Sequence, residues 1–250
     1  MGEDVSSQPE NGISAASPPD IHRARELRRS FGRALGLRTV ELVIFLVAVF
    51  GALAVGLGIT DYLGDHLEVL AYLAAYAGFR VAMIVMTAHT QSNADMLKAC
   101  SGPTGDLTTL IVFAAAPFER TYFYAGGEPP IWLTGTGLAM GLAGFWIALV
   151  AQIQIERALQ TRETLSEGGP LIRTGLFRYV RHPGYAGQCL AWMGWPAIYG
   201  APITAVVMLL GGAAIVRRQI HNEEARMFSR FGEQYAVYAS QSERLLPGIW

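Results

Sequence analysis

Apolar residues in this chain come in long runs separated by short polar connections. Four runs have bilayer length: Val40–Thr60, Val69–Ala88, Leu107–Ala125 and Ile131–Ile155. Crossing the hydrocarbon core takes about 20 predominantly apolar residues, so each run predicts a transmembrane helix. A fifth stretch, Ala186–Val216, is too long for one crossing and is broken by Trp195-Pro196 and Gly200-Ala201-Pro202. Gly and Pro punctuate helices, so this stretch predicts a hairpin with arms Ala186–Tyr199 and Pro202–Val216; its short first arm would be tilted or partly embedded. Beyond Val216 the spacing stays helical while the residues turn polar, and Gly232 marks the stop. The expected fold is all-α: a polytopic transmembrane helix bundle of four spans plus a C-terminal helical hairpin, followed by a helix that runs out of the bilayer.

Charge supports that count and gives it an orientation. Apolar residues make up 52% of the chain and charged residues 16%, against about 25% charged in soluble domains. Of the 19 Lys and Arg residues, all but Arg80 and Arg120 fall on one side if both termini are cytoplasmic. The opposite connections, Asp61–Glu68, Gly126–Pro130 and Gly200-Ala201, carry none. This positive-inside pattern predicts a multi-pass integral membrane protein with N-terminus and C-terminus in the cytoplasm, and a bacterial inner membrane is the expected location. Arg80 and Arg120 lie within spans, where a charge either faces a cavity with a functional role or is satisfied locally by a neighbour such as Glu119.

The polar remainder divides the chain into three expected parts. Residues 1–38 form a Ser/Pro-rich, then basic, N-terminal tail; residues 39–155 hold the four spans; residues 156–250 hold a cytoplasmic loop, the membrane hairpin and a cytosolic tail. No cleavable leader is expected, because the first apolar run is too long for one. Cys100 and Cys189 lack any metal-ligand spacing, so neither a disulfide nor a metal is expected. A net charge of −1 with no separate basic face argues against a nucleic-acid partner. Gly135, Gly137, Gly141 and Gly144 line the fourth span; such small residues let helices approach closely or leave room for a ligand, and they allow a homodimer.

Two clusters carry chemistry. The first is Arg181-His182-Pro183-Gly184-Tyr185-Ala186-Gly187, directly before the hairpin. Pro183 holds His182 extended and suits the first turn of the next helix. Arg181 and His182 therefore sit at a helix N-terminus, which favours an anion. Gly184 and Gly187 would keep the backbone open to a ligand. The second cluster is Arg217-Arg218-Gln219-Ile220-His221-Asn222-Glu223-Glu224, in which Arg217, His221, Glu224 and Phe228 share one helix face. Adjacent carboxylates at a membrane interface need partners, and a ligand ammonium is one. Glu223 has a second reading, an ion pair with Arg226, and Arg181 has one as a lipid-phosphate contact.

Arg181-His182-Pro183-x-Tyr185-x-Gly187, then an apolar hairpin, then Glu223-Glu224 and Phe231-Gly232-x-x-Tyr235, closing on Arg244-Leu245-Leu246-Pro247, resembles the isoprenylcysteine carboxyl methyltransferase and phospholipid methyltransferase superfamily. The resemblance covers Gly168–Gly248, about a third of the chain. It implies an S-adenosyl-L-methionine site enclosed by the C-terminal helices, lined by His182, Tyr185 and Glu224 with Glu223 beside them. Gly135-Thr136-Gly137 is similar to a Gly-x-Gly of the phospholipid enzymes and would add Gly135 and Gly137 to the cofactor site. Many relatives have Gly-Pro-Tyr where this chain has Gly175-Leu176-Phe177, so a hydroxyl is lost there.

The cofactor's chemistry agrees with that assignment. Glu223 or Glu224 suits its ammonium, the helix start at Arg181–Tyr185 suits its carboxylate, and Tyr185 or Tyr235 can stack on its adenine. Methyl transfer is mainly alignment. An acceptor carboxylate needs an arginine, with Arg173, Arg178, Arg217 and Arg80 as candidates, whereas an amine or thiol needs a base such as His182 or a glutamate. Arg181, His182, Glu223 and Arg173 are the expected catalytic residues. The expected partners are membrane lipids and a lipophilic small-molecule or lipid acceptor. Membrane sterol reductases share a similar Arg-x-Pro-x-Tyr element but use NADPH, and a non-enzymatic scaffold is a third reading.

Overall fold

A computed structural model describes residues 43, 66–89, 103–124, 127–160, 170–246 and 248. The 1–38 tail, the first predicted span apart from the helical Val43, Lys98 and Cys100 lie outside the described residues. Six α-helices are described: α1 Leu67–His89, α2 Pro103–Phe123, α3 Ile131–Gln160, α4 Pro183–Tyr199, α5 Pro202–Phe231 and α6 Glu233–Ser240, with a short 3-10 turn at Gly175–Arg178 before α4. The described residues form no β-strand; their one β-type contact is an isolated parallel bridge between Val180 and Glu243. The all-α expectation holds.

Segments Leu67–Met86, Ile131–Ala158 and the helix Pro202–Phe231 are long and apolar enough to cross a bilayer. The protein is an integral membrane protein. The hairpin has the predicted turn, with Gly200 in the left-handed region at φ 58° between α4 and α5. That conformation is open to glycine at little cost, and Pro202 then starts α5 at a position where no backbone N–H is needed. α4 has 17 residues, short for a perpendicular crossing.

α3 and α4 pack through their glycines. A Cβ on Gly137 would lie 2.6 Å from the Ile198 amide nitrogen, one on Gly194 2.7 Å from that of Gly141, and one on Gly187 2.6 Å from that of Ala148. Any side chain there would push the helices apart, so the glycines set the spacing. Gly187, expected to keep the backbone open to a ligand, is thus filled by the opposing helix, and of the two readings given for Gly137 the close helix approach is the one observed. Gly184 alone of the two motif glycines faces open space, as does the exposed Gly135.

A buried aromatic cluster locks α1, α2 and α3 onto α4. Phe113 and Trp195 stack with centroids 4.5 Å apart, and Tyr72 meets Phe145 edge-on at 5.3 Å. Their polar atoms are satisfied, as buried donors must be: Tyr72 Oη donates to the Ala191 carbonyl at 2.5 Å and Trp195 Nε1 to that of Phe113 at 3.1 Å.

α5 is attached differently at its two ends. Its first free amides donate to Glu119 of α2, Ile203 N to Oε1 at 2.8 Å and Thr204 N to Oε2 at 2.6 Å. A carboxylate at a helix N-terminus satisfies orphan donors and complements the dipole. Glu119 is therefore occupied by α5 rather than by Arg120, whose guanidinium lies over Tyr124 instead. The buried positions Thr204, Met208, Val216, Ile220 and Glu224 fall at multiples of four. Four residues turn a helix through about 400°, so this stripe precesses by about 40° per step. The face used near Glu119 is consequently nearly opposite the face used at Glu224.

Candidate functional site

The loop before α4 is fixed from two sides. Gly175 stands at φ 63°, where a Cβ would run into the Gln154 side chain, and Gln154 Oε1 accepts from Leu176 N at 3.1 Å. The C-terminal tail supports the other side. Glu243 N donates to Tyr179 O at 3.0 Å, Arg181 N to Glu243 O at 2.7 Å and His182 N to Arg244 O at 3.1 Å. Tyr238 Oη donates to the Phe177 carbonyl at 2.6 Å. The position that lost its hydroxyl relative to the expected motif is thus anchored through its backbone.

This support brings the two predicted clusters together 41 residues apart in sequence, at the start of α4 and the polar half of α5. Arg181 Nε donates to Glu224 Oε1 at 2.9 Å, and Arg244 Nε to Oε2 at 3.1 Å. Arg181 Nη1 also donates to the carbonyls of Ala239, at 2.8 Å, and Ser242. His182 lies between the carboxylates, Nδ1 3.5 Å from Glu223 Oε2 and Nε2 3.6 Å from Glu224 Oε1. Both His182 and Glu224 are 6% exposed. Burial alone would lower the His182 pKa; the facing carboxylates of Glu223 and Glu224 overcome it and raise the value above the ordinary histidine range. The site holds a buried histidine biased toward imidazolium, two carboxylates and a buried guanidinium. Glu223 faces His182, and no ion pair joins it to Arg226 among the described residues.

The other predicted residues take more peripheral places. The Tyr185 ring lies 5.8 Å from that of His182. Tyr235 is buried against Phe228, edge-on at 4.7 Å, below the cluster. Arg173 is exposed and donates to the Gln234 carbonyl at 3.0 Å, tying the loop to α6. Gly187 packs against α3 one turn into α4, and Gly137 packs near the far end of α4, beside Gly194 and Ile198. Among the described residues no group of His, Cys, Asp and Glu could hold a metal ion. Arg244 and Gln154 were not singled out by sequence; the tail motif Arg244-Leu245-Leu246-Pro247 was the available signal for the first, and nothing marked the second.

In sequence and fold the chain is similar to the helical membrane methyltransferases of the isoprenylcysteine carboxyl methyltransferase superfamily. The pattern of a family described as a protein of unknown function, DUF1295, matches residues 108–242, more than half of the chain, and the chain belongs to that family. It is 24% identical over 224 residues to a protein-S-isoprenylcysteine O-methyltransferase of Tribolium castaneum, covering 88% of this chain and 77% of that protein. The same-named protein of Mus musculus is 28% identical over 122 residues, a match that spans 42% of its length. The fold resembles that of the eukaryotic intramembrane Ras methyltransferase ICMT, with a TM-score of 0.53 at 20% identity over 86% of this chain and 77% of that one.

Proposed function

We propose that this protein transfers a methyl group from S-adenosyl-L-methionine to a lipophilic acceptor at the cytoplasmic face of the membrane. The observation that carries the reading is the buried Arg181–His182–Glu223–Glu224 cluster at the start of α4. Its residues fit the donor. His182 Nε2 is buried without a hydrogen-bond partner, and the backbone at Gly184 faces open space. Glu223 and Glu224 would hold the donor's ammonium, and the first turn of α4 would hold its carboxylate. When bound, the donor supplies a methyl group already activated on a sulfonium, so the protein's task is alignment and the exclusion of water. His182 keeps its proton between the two carboxylates, and its unpartnered Nε2–H would be available to donate to the bound donor. Arg181 and Arg244 fix the orientation of the Glu224 carboxylate. Tyr185 lies beside the cluster, where an adenine could stack.

The same reading sets residues 156–250 as the methyltransferase region, residues 39–155 as its transmembrane support and residues 1–38 as a tail. It puts both termini in the cytoplasm of a bacterial inner membrane, since all but two of the Lys and Arg residues then lie inside. A homodimer through small-residue faces is compatible with it.

Ligand-induced thermal stabilisation of the detergent-purified protein tests the reading. A ligand that binds only the folded state stabilises by about 2.7 kcal/mol at a hundredfold excess over its dissociation constant. S-adenosylmethionine and S-adenosylhomocysteine should both raise the melting temperature while NADPH leaves it unchanged. A shift with NADPH alone, or with none of the three, would overturn it.

A further inference from the structure

We infer that Arg120 binds the phosphate of a phospholipid in the leaflet opposite the Arg181–Glu224 cluster, a lipid site that takes no part in methyl transfer and does not depend on that reading. Arg120 stands in the last turn of α2, beside the Gly200 turn between α4 and α5. By the charge pattern of the sequence, every Lys and Arg other than Arg80 and Arg120 belongs to the opposite side of the membrane. A guanidinium at this end therefore needs a local reason. Its sequence neighbour does not supply one, because both oxygens of Glu119 accept from the amides of Ile203 and Thr204. Among the described residues Arg120 has no ion pair and no hydrogen bond; its contact is the Tyr124 ring, whose centroid lies 5.8 Å from the guanidinium carbon. A guanidinium carries five N–H donors and is always charged. A cation packed at a membrane surface with none of these donors taken by the protein calls for an external acceptor.

The surroundings fit a phosphate. Nε is buried without a partner, so Nη1 and Nη2 form the end that meets a ligand. A turn glycine lies beside each of them. A Cβ built on Gly200 would come within 3.6 Å of Nη1, and one on Gly127 within 3.7 Å of Nη2. Any longer side chain at either position would cover the nitrogens, so the two bare turns leave a notch over them. The depth fits as well. Tyr122, Phe123, Tyr124 and Trp132 are all exposed at this end of the bundle. Aromatic side chains in such a belt sit at the level of the lipid headgroups, where the phosphodiester is the prevailing anion. A guanidinium grips two phosphate oxygens through parallel N–H donors. Held there, the phosphate joins the end of α2 to the α2–α3 and α4–α5 turns.

The test is native mass spectrometry of the full-length protein released from detergent. It is titrated with dioctanoyl phosphatidylglycerol, with dioctanoylglycerol, which has the same chains and no phosphate, and with inorganic phosphate. The unaltered protein should carry one more copy of the phospholipid than Arg120→Gln, and the affinity for that copy should fall roughly 10- to 100-fold in the variant, the range for hydrogen bonds to a charged group. Arg120→Lys should keep part of it, since an ammonium meets phosphate only as a point charge. Gly127→Leu retains the charge but covers Nη2, and should weaken the same copy. Arg226→Gln, exposed in the cytosolic half of α5, should change nothing. A cooperative melt shows that each variant is folded; if Arg120→Gln does not fold, Arg120→Lys and Gly127→Leu carry the comparison. The inference is overturned by equal phospholipid occupancy in the unaltered protein and the Arg120 and Gly127 variants, by equal binding of dioctanoylglycerol, by displacement with inorganic phosphate at the same concentration, or by an equal loss in Arg226→Gln.

Discussion

Arg244 and Arg181 hold opposite oxygens of one carboxylate: Glu224 Oε2 accepts from Arg244 Nε at 3.1 Å and Oε1 from Arg181 Nε at 2.9 Å. The first arginine comes from the tail and the second from the loop before α4, so Glu224 is the point at which three segments meet. Removing one partner of a buried ion pair leaves an uncompensated charge, at a cost of about 3–5 kcal/mol. Glu224→Ala should therefore lower the melting temperature strongly and abolish stabilisation by S-adenosylhomocysteine. Glu224→Gln keeps the shape and should lose the ligand response with a smaller loss of stability. Thermal melts with and without ligand read both effects.

The glycine contact between α3 and α4 predicts a position-dependent effect of identical substitutions. Gly194→Ala forces a Cβ into the backbone of Gly137 and Gly141 and should destabilise by about 1–3 kcal/mol or more. Gly135→Ala, where the Cβ meets nothing within 4 Å, should be neutral or slightly stabilising. Melting temperatures of the two variants, measured side by side, distinguish them.

These glycines also show how far the sequence could be read. The turn between α4 and α5 was legible because Pro202 and Gly200 restrict the backbone locally, whatever surrounds them. The end of α5 at Gly232 was legible for the same reason. The roles of Gly137 and Gly187 were not, since a bare backbone is open or filled according to which helix packs beside it. The same holds for Glu223, whose sequence neighbour Arg226 lies within reach yet whose partner is His182, 41 residues away. His182 and Glu224 were legible through a motif. Arg244, which completes the carboxylate's coordination, is set by a tail that folds back 20 residues later.

Glu119 should matter to stability although it stands far from the site. Its carboxylate satisfies the amides of both Ile203 and Thr204. Glu119→Ala leaves two donors unpaired, each costing about 1–3 kcal/mol. The variant should melt well below the unaltered protein and retain its affinity for S-adenosylhomocysteine once folded. Calorimetric titration at low temperature checks the second half.

His182 should give stability a pH dependence of definite sign. Its folded pKa is raised by Glu223 and Glu224 against the opposing effect of burial. The stabilisation it contributes is fully present below the unfolded value, about 6.5, and is lost as pH rises through the folded value. Melting temperature should fall over that window, and His182→Gln should remove this component of the slope while lowering stability at the acidic end. An unchanged slope in the variant would assign the pH dependence elsewhere.

The most direct measurement follows a labelled methyl group from S-adenosylmethionine into organic-extractable material, using membranes that contain the protein and S-farnesyl-N-acetylcysteine as added acceptor. The unaltered protein should transfer label, and Glu224→Gln, expressed to the same level, should transfer none above background. Equal labelling by the two proteins, or none by a preparation that binds S-adenosylhomocysteine, would contradict a methyl transfer centred on this cluster.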